Sequence, residues 1–409
     1  MTTAFAGLDL ADPDRYVDDS MLDIWERLRA EAPLYWNTRA DGSAFWAVTS
    51  HELATAVLED RHSFTSERGM RVGGEGVGGR ASAGRMLIVT DGSRHRWLRD
   101  IIGPSFAPRS VRRLEDRMRE IVDSLLDDVR GRDSFDFVER FAARLPLYVT
   151  CDLLGVPRSD WDLMIELTRT AFGSVAEPGG PVISEKEQER AHAEIFLYSM
   201  SLIADCRRRP REDLVSAMVT GTSRGHRMSD EDIQVNINGV LTGGNETTRH
   251  ATAGAVLAFI RYPEQWELFR AEPAAVMSTT VEEVLRWTAP SLHVMRTAVR
   301  DVVVGGHLIE AGEQVTIWNP AVNRDERAFP RATTFDITRW PNRHVTFGLG
   351  QHFCIGANLA RLELRVALNA LAHTVSRFEP AGPVRRLRSN LMWGLDQLPV
   401  RVRPKEHRD

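Results

Sequence analysis

Three stretches of this chain place reactive residue types at spacings that suit chemistry. The first is Phe347-Gly348-Leu349-Gly350-Gln351-His352-Phe353-Cys354-Ile355-Gly356-Ala357. One cysteine sits in a glycine-punctuated loop that runs into a helix-like segment, Asn358 to Arg365. Glycines let the backbone take positive φ and approach something flat or bulky. A helix start supplies free N–H groups and a positive dipole end, and both stabilise a thiolate. A thiolate among small and apolar residues suits a single soft bond to a metal. A four-ligand zinc site needs more Cys or His nearby, and only His344 and His352 are close. Taken alone, Cys354 reads first as a buried structural cysteine in an ordinary turn.

The second stretch is Gly243-Gly244-Asn245-Glu246-Thr247-Thr248, inside a helix-like run from Val235 to Phe259. Two glycines within a helix each cost roughly 1 kcal/mol relative to alanine. Close approach of a ligand or a local distortion would account for them. Glu246 and Thr247 then put a proton carrier and a hydroxyl at that opening. Arg249 and His250 are polar where apolar residues are expected; they either face away or mark a partner or substrate contact. The third stretch is Asp91 to Arg99. His95 and Arg99 are four apart on a helix and share a face, and two donors on one face suit a pair of carboxylates. Glu283 and Arg286, three apart in Glu282-Glu283-Val284-Leu285-Arg286, have the spacing of a helical ion pair.

The elements that must position these residues are mostly helical. Met21, Ile24, Trp25 and Leu28 predict a helix over 21–31, ended by Pro33. Leu34–Trp36 and Ala44–Val48 read as strands about the turn Arg39 to Gly42. A short helix follows over 51–58. Residues 66–84 are glycine-rich and read as a mobile loop. Charged amphipathic helix is expected over 111–130, two more helices over 135–170, and another over 184–209 after a break at Ala176 to Pro181. Ala289 to Arg296 reads as a turn into a strand, residues 302–309 and 314–318 as a small sheet, and 390–395 as a hairpin tip.

The chain has 409 residues, 43% of them hydrophobic, which is ample for a large core. A net charge of -5 argues against nucleic acid as a partner. Three cysteines, Cys151, Cys206 and Cys354, suit a reducing compartment, with the first two as core thiols. The N-terminus shows no signal peptide, and no stretch is long and apolar enough to span a bilayer. The expectation is a soluble cytoplasmic protein with no membrane partner. No glycine-rich nucleotide-binding motif lies between a strand and a helix.

Together these stretches resemble the cytochrome P450 family. Its cysteine loop reads Phe, two residues, Gly, one residue, His or Arg, one residue, Cys, one residue, Gly. Phe347, Gly350, His352, Cys354 and Gly356 fill all five positions. The long helix matches the family's small residue, Gly, any residue, acid, Thr pattern, and the resemblance covers essentially the whole chain. It implies a mainly α (α+β) fold, with residues 1–409 forming one large helical domain and a small β-rich region. Cys354 would be the thiolate ligand of haem b, and the family is a standard case of such ligation. His95, Arg99, Arg296 and His352 would bind the haem, with the usual Asp-Pro-Pro opening replaced here by Asp91-Gly92-Ser93. Glu246 and Thr247 would deliver protons. Glu283, Arg286 and Arg339 would form a structural network.

The function so implied is monooxygenation, with one oxygen atom of dioxygen entering an organic substrate. Gly243, Leu292, His293, Val294, Met392 and Trp393 would line the substrate pocket, and Phe172, Phe196 and Met200 would belong to a lid. Those mostly apolar residues suggest a polyketide, macrolide or terpenoid in secondary metabolism. The alternative is β-hydroxylation of an amino acid tethered to a carrier protein, to which the wording Gly243 to His250 is similar. Electrons would come from a ferredoxin and its reductase, docking on Arg99, Arg109, Arg112, Arg113 and Arg361. A non-catalytic haem-binding protein is a further alternative; Glu246 and Thr247 argue against it, because a binder has no use for proton delivery.

Overall fold

The computed structural model describes residues 5, 7–73, 82–172 and 184–404. They divide into two compact units, each built from separate chain segments. The first holds the described residues within 1–83, 257–354 and 384–396; the second holds those within 84–256, 355–383 and 397–409.

The first unit is organised by a five-stranded sheet. Its strands run in the order Leu34–Thr38, Ala44–Val48, Gln314–Trp318, His293–Ala298 and Phe64–Thr65. Ala44–Val48 pairs with Gln314–Trp318 in parallel, and the other pairs are antiparallel. The helix Met21–Glu31 has the expected bounds. Met21, Trp25 and Leu28 recur on one face and are buried among Tyr16, Phe45, Trp318 and Trp393. Trp25 meets Trp393 edge-on at 5.2 Å, and Tyr16 stacks on Trp318 at 6.1 Å. The small sheet expected from 302–318 is divided. Val302–Val304 and His307–Ile309 form a separate two-stranded hairpin, while Gln314–Trp318 joins the five-stranded sheet. The apolar run Val315 to Trp318 is buried and paired on both edges, as a central strand of the larger sheet requires.

Glu283 and Arg286 lie on the helix Pro273–Thr288 of the same unit and have no exposed side-chain surface. Arg286 grips both oxygens of Glu283 at 2.8 Å, and Arg339 adds a bond at 3.1 Å. Asn342 and the Asp336 N–H also donate to this carboxylate, at 3.0 and 2.9 Å. The remaining Arg286 N–H groups reach the carbonyls of Asn323, Ala332 and Thr334. Glu283 and Arg286, paired from spacing, and Arg339, implied by the resemblance, are therefore one buried network that ties the helix to the loop 323–342.

The second unit is mainly helical. The long helix Asp230–Arg261 begins there, five residues earlier than its apolar period indicates. Its first turn is Asp230-Glu231-Asp232, acidic residues that the positive end of the helix dipole favours. The expected 111–130 helix is broken into Pro108–Arg112 and Glu115–Val129. Ser184 and Glu187 close a capping box at the start of Glu185–Arg208. The helix Ala357–Thr374 packs against Glu115–Val129, with Arg365 reaching Glu115 at 3.0 Å.

Candidate active-site residues

The cysteine loop is a set of tight turns. Gly348 and Gly350 have φ of 66° and 67°, in the left-handed region. A Cβ on Gly350 would lie 2.9 Å from the Leu58 carbonyl oxygen, so no larger residue fits without displacement. Backbone bonds from Gly348 to Val345, Phe353 to Gly350 and Cys354 to Phe347 hold the loop at 2.8, 3.1 and 2.8 Å. Phe347 packs edge-on against Phe353 at 6.1 Å. Gly356 is the N-cap of Ala357–Thr374, so the cysteine stands three residues ahead of a helix start. Cys354 is half-buried, whereas Cys151 and Cys206 are buried. Burial pushes the Cys151 thiol up to about 12 and also raises Cys206, so neither ionises readily. Among the described residues, no cluster of three or more His, Cys, Asp or Glu could hold a metal.

Each unit carries a pair of basic donors. In the first, Arg296 is buried on the strand His293–Ala298, with one N–H donated to the Met295 carbonyl at 2.9 Å, and His352 is half-buried two residues before the cysteine. In the second, His95 is buried and Arg99 half-buried, one turn apart on the helix Gly92–Ile102.

On the long helix the two glycines have different reasons. A Cβ on Gly244 would come within 2.9 Å of Thr150 Oγ1, so Gly244 admits the helix Arg144–Leu154. A Cβ on Gly243 would meet nothing within 4 Å, and Gly243 is exposed. Of the two reasons weighed for these glycines, neither is needed at Gly244, which helix packing explains, while open space lies before Gly243. The Thr247 hydroxyl donates to the Gly243 carbonyl at 2.8 Å. Arg249 and His250 both lie beside the acid. Their Nη1 and Nε2 lie 3.7 and 3.5 Å from Glu246 Oε2. Burial works to raise the Glu246 pKa, but the Arg249 charge and His250 outweigh it and hold the carboxyl at about 2.

Three residues expected in the substrate pocket are core instead. Leu292 and His293 have no exposed surface and Trp393 only 5%, all enclosed within the first unit. His293 Nε2 accepts the Val72 N–H at 3.0 Å and its ring lies 4.8 Å from Trp318. Burial pushes its pKa down to about 4, which leaves it neutral. Strand pairing explains this: His293 stands opposite Trp318 in the sheet, so its side chain points into the aromatic cluster. Val294 is half-buried, as is Met392, which bridges to Ser291. Phe196 and Met200 are half-exposed on Glu185–Arg208. The side chain of Phe172, the break at 176–181 and residues 74–81 of the glycine-rich loop lie outside the described residues.

A family model described as Cytochrome P450 matches residues 133–393. The chain belongs to the cytochrome P450 family. It is 35% identical to "Cytochrome P450 NovI" of Streptomyces niveus, over 97% of this chain and 96% of that protein. Among solved structures, P450 OxyD, described as involved in the biosynthesis of vancomycin-type antibiotics, is 38% identical with a TM-score of 0.89, covering 98% of this chain and 100% of that one. P450BioI, solved with a hexadec-9Z-enoic acid-ligated acyl carrier protein, is 28% identical with a TM-score of 0.83, covering 94% and 99%.

This P450 is a monooxygenase whose cofactor is haem. Its residues fit that cofactor in their chemistry. One accessible cysteine in a glycine-built loop suits an iron–thiolate bond. Arg296 and His352 in the first unit, and His95 and Arg99 in the second, are each donors of a kind that suits a carboxylate. Among the described residues no helix is long and apolar enough to cross a membrane.

Proposed function

We propose that this P450 oxygenates a natural product in secondary metabolism, with Cys354 as the haem ligand. The half-buried thiol in the loop Phe347 to Gly356 carries the assignment. Haem bound there supplies dioxygen activation. The protein's part is to hold the thiolate, fix the propionates through His95, Arg99, Arg296 and His352, and manage protons. Glu246 exchanges protons with water, and Thr247 presents a hydroxyl whose own proton is engaged by the Gly243 carbonyl, leaving its oxygen to accept. Glu283, Arg286 and Arg339 keep the loop 323–342 in register beneath this chemistry. Each unit is assembled from separate chain segments, which supports treating residues 1–409 as one domain.

The substrate has two readings. A free apolar scaffold is now supported by fewer residues, because Leu292, His293 and Trp393 are core. A carrier-tethered substrate gains from the carrier-bound relative and from Phe196, Leu197 and Met200, half-exposed together on one helix. Spectral titration decides between them: a substrate-induced shift with the carrier-loaded amino acid but not with the free one selects the second reading. The basic surface of the second unit supports a ferredoxin as electron donor. Arg109, Arg112 and Arg113 are exposed on or beside Pro108–Arg112, and that helix packs on Ala357–Thr374, which carries Arg361. Reversing three of these charges should slow ferredoxin-supported turnover while leaving peroxide-supported turnover intact; equal rates by both routes would remove the docking assignment. The decisive experiment is the spectrum of the reduced protein with carbon monoxide. A red-shifted Soret band that is lost in Cys354→Ser supports the ligand assignment, and an unchanged band in that variant overturns it.

A further inference from the structure

Arg249 and His250 have no role in the reading above, yet both lie within ion-pair reach of one oxygen of Glu246, at 3.7 and 3.5 Å. The other oxygen, Oε1, accepts a 3.2 Å bond from Asn245 Nδ2. Residues 245, 246, 249 and 250 lie within about one and a half turns of a single helix, so Arg249 and His250 reach Glu246 at i+3 and i+4. The positions that follow, Ala251, Ala253, Ala255 and Val256, are buried and apolar, and the His250 side chain is fully buried before them. A buried histidine and an arginine cost more to enclose than the alanines beside them, so stability alone does not account for the pair. The packed neighbour at this turn, the helix Arg144–Leu154, meets Gly244 with Thr150, which adds no charge.

We propose that Arg249 and His250 are positioning residues for proton transfer, clamping Glu246 as a fixed carboxylate that relays protons from water one at a time. The inference rests on the assignment of Glu246 to proton handling. In the relay, one proton from a water-borne donor forms an O–H bond at the carboxylate, and the same oxygen then gives a proton up toward the Thr247 side; charge and protons balance over the cycle. The clamp sits on the same helix as the acid, so it travels with Glu246 and needs no other element to stay in place. Burial without the clamp would favour the neutral acid, which stores a proton and does not accept one.

The test is infrared difference spectroscopy on the haem-loaded enzyme at neutral pH, with Glu246→Gln as the reference that removes the band of this carboxyl. The native protein should show Glu246 as carboxylate. Arg249→Met should show it protonated, His250→Phe should show it partly protonated, and Arg249→Lys should restore the ionised form. Product formed per electron pair should fall several-fold in Arg249→Met and recover in Arg249→Lys, with substrate affinity unchanged. The thiolate Soret band of each variant reports folding, and His250→Phe carries the test if Arg249→Met does not fold. A fully ionised Glu246 in both Arg249→Met and His250→Phe overturns the clamp. A protonated Glu246 in those variants, with coupling unaffected by Glu246→Gln itself, overturns the proton-handling role and leaves the clamp as electrostatics only.

Discussion

Replacing Glu283 with Gln tests how much the first unit depends on one buried carboxylate. The side chain accepts five hydrogen bonds, two from Arg286 and one each from Arg339, Asn342 and the Asp336 N–H. Arg286 and Glu283 are fully enclosed, and Arg339 is nearly so. Glutamine keeps the shape but removes the charge, and its NH2 group faces donors. Two guanidinium groups are then buried without a counter-ion. Breaking a buried pair in this way costs about 3–5 kcal/mol. That is a fall of roughly two to four orders of magnitude in the folded-to-unfolded ratio, set against a total of about 5–15 kcal/mol for a typical protein. Urea unfolding followed by tryptophan fluorescence and by the thiolate Soret band reads the loss. Combining Glu283→Gln with Arg286→Met should not recover it, because the carbonyls of Asn323 and Ala332 would then lose their Arg286 donors, at about 1–3 kcal/mol each, while Thr334 keeps only its bond from Arg339. A Glu283→Gln variant within about 1 kcal/mol of the parent would refute the claim that the network depends on charge.

Three further outcomes follow from the same geometry. Gly244→Ala should destabilise by about 1–3 kcal/mol by driving a methyl into Thr150, whereas Gly243→Ala, with open space before it, should be neutral or stabilise by up to about 1 kcal/mol; thermal unfolding of the pair reads the difference. Gly350→Ala should cost at least about 1–2 kcal/mol through its left-handed φ, with added strain against the Leu58 carbonyl, and should lower the fraction of haem retained on purification. His293 has a folded pKa of about 4 against about 6.5 when unfolded, so on acidification the unfolded chain takes up its proton first. This group leaves stability untouched above pH about 6.5 and removes up to about 3 kcal/mol as pH falls from there to about 4. In His293→Gln that pH dependence should be flatter.

Local signals were legible where local forces decide. The helix Met21–Glu31 has an apolar period on one side and Pro33 after it, and the structure keeps those bounds. The start of the long helix was not legible, because its first turn is all polar and a hydrophobic period carries no information there. The 111–130 segment broke at Arg113 and Leu114 although its residue types favour helix throughout. Glu283 and Arg286 could be paired from spacing. Their full burial could not, because it depends on the distant loop 323–342 folding over them.

The amino-acid sequence by itself determined the chemistry available: a lone cysteine in a glycine loop, an acid and a threonine after two glycines, and the family to which they belong. Those features are contiguous, so their residue types and spacing survive without coordinates. Tertiary structure decided which of the named residues face open space. Gly243 and Gly244 are neighbours of one type, yet one packs on Thr150 and the other on nothing. His293 reads as a pocket histidine until Val72 and Trp318, one far before it in the chain and one after, close around it. Arg249 and His250 read only as polar residues among apolar ones until the helix sets them beside Glu246. Burial and partner choice are set by contacts between segments far apart in the chain or by the direction a side chain takes from its element, and neither is written in residue type alone.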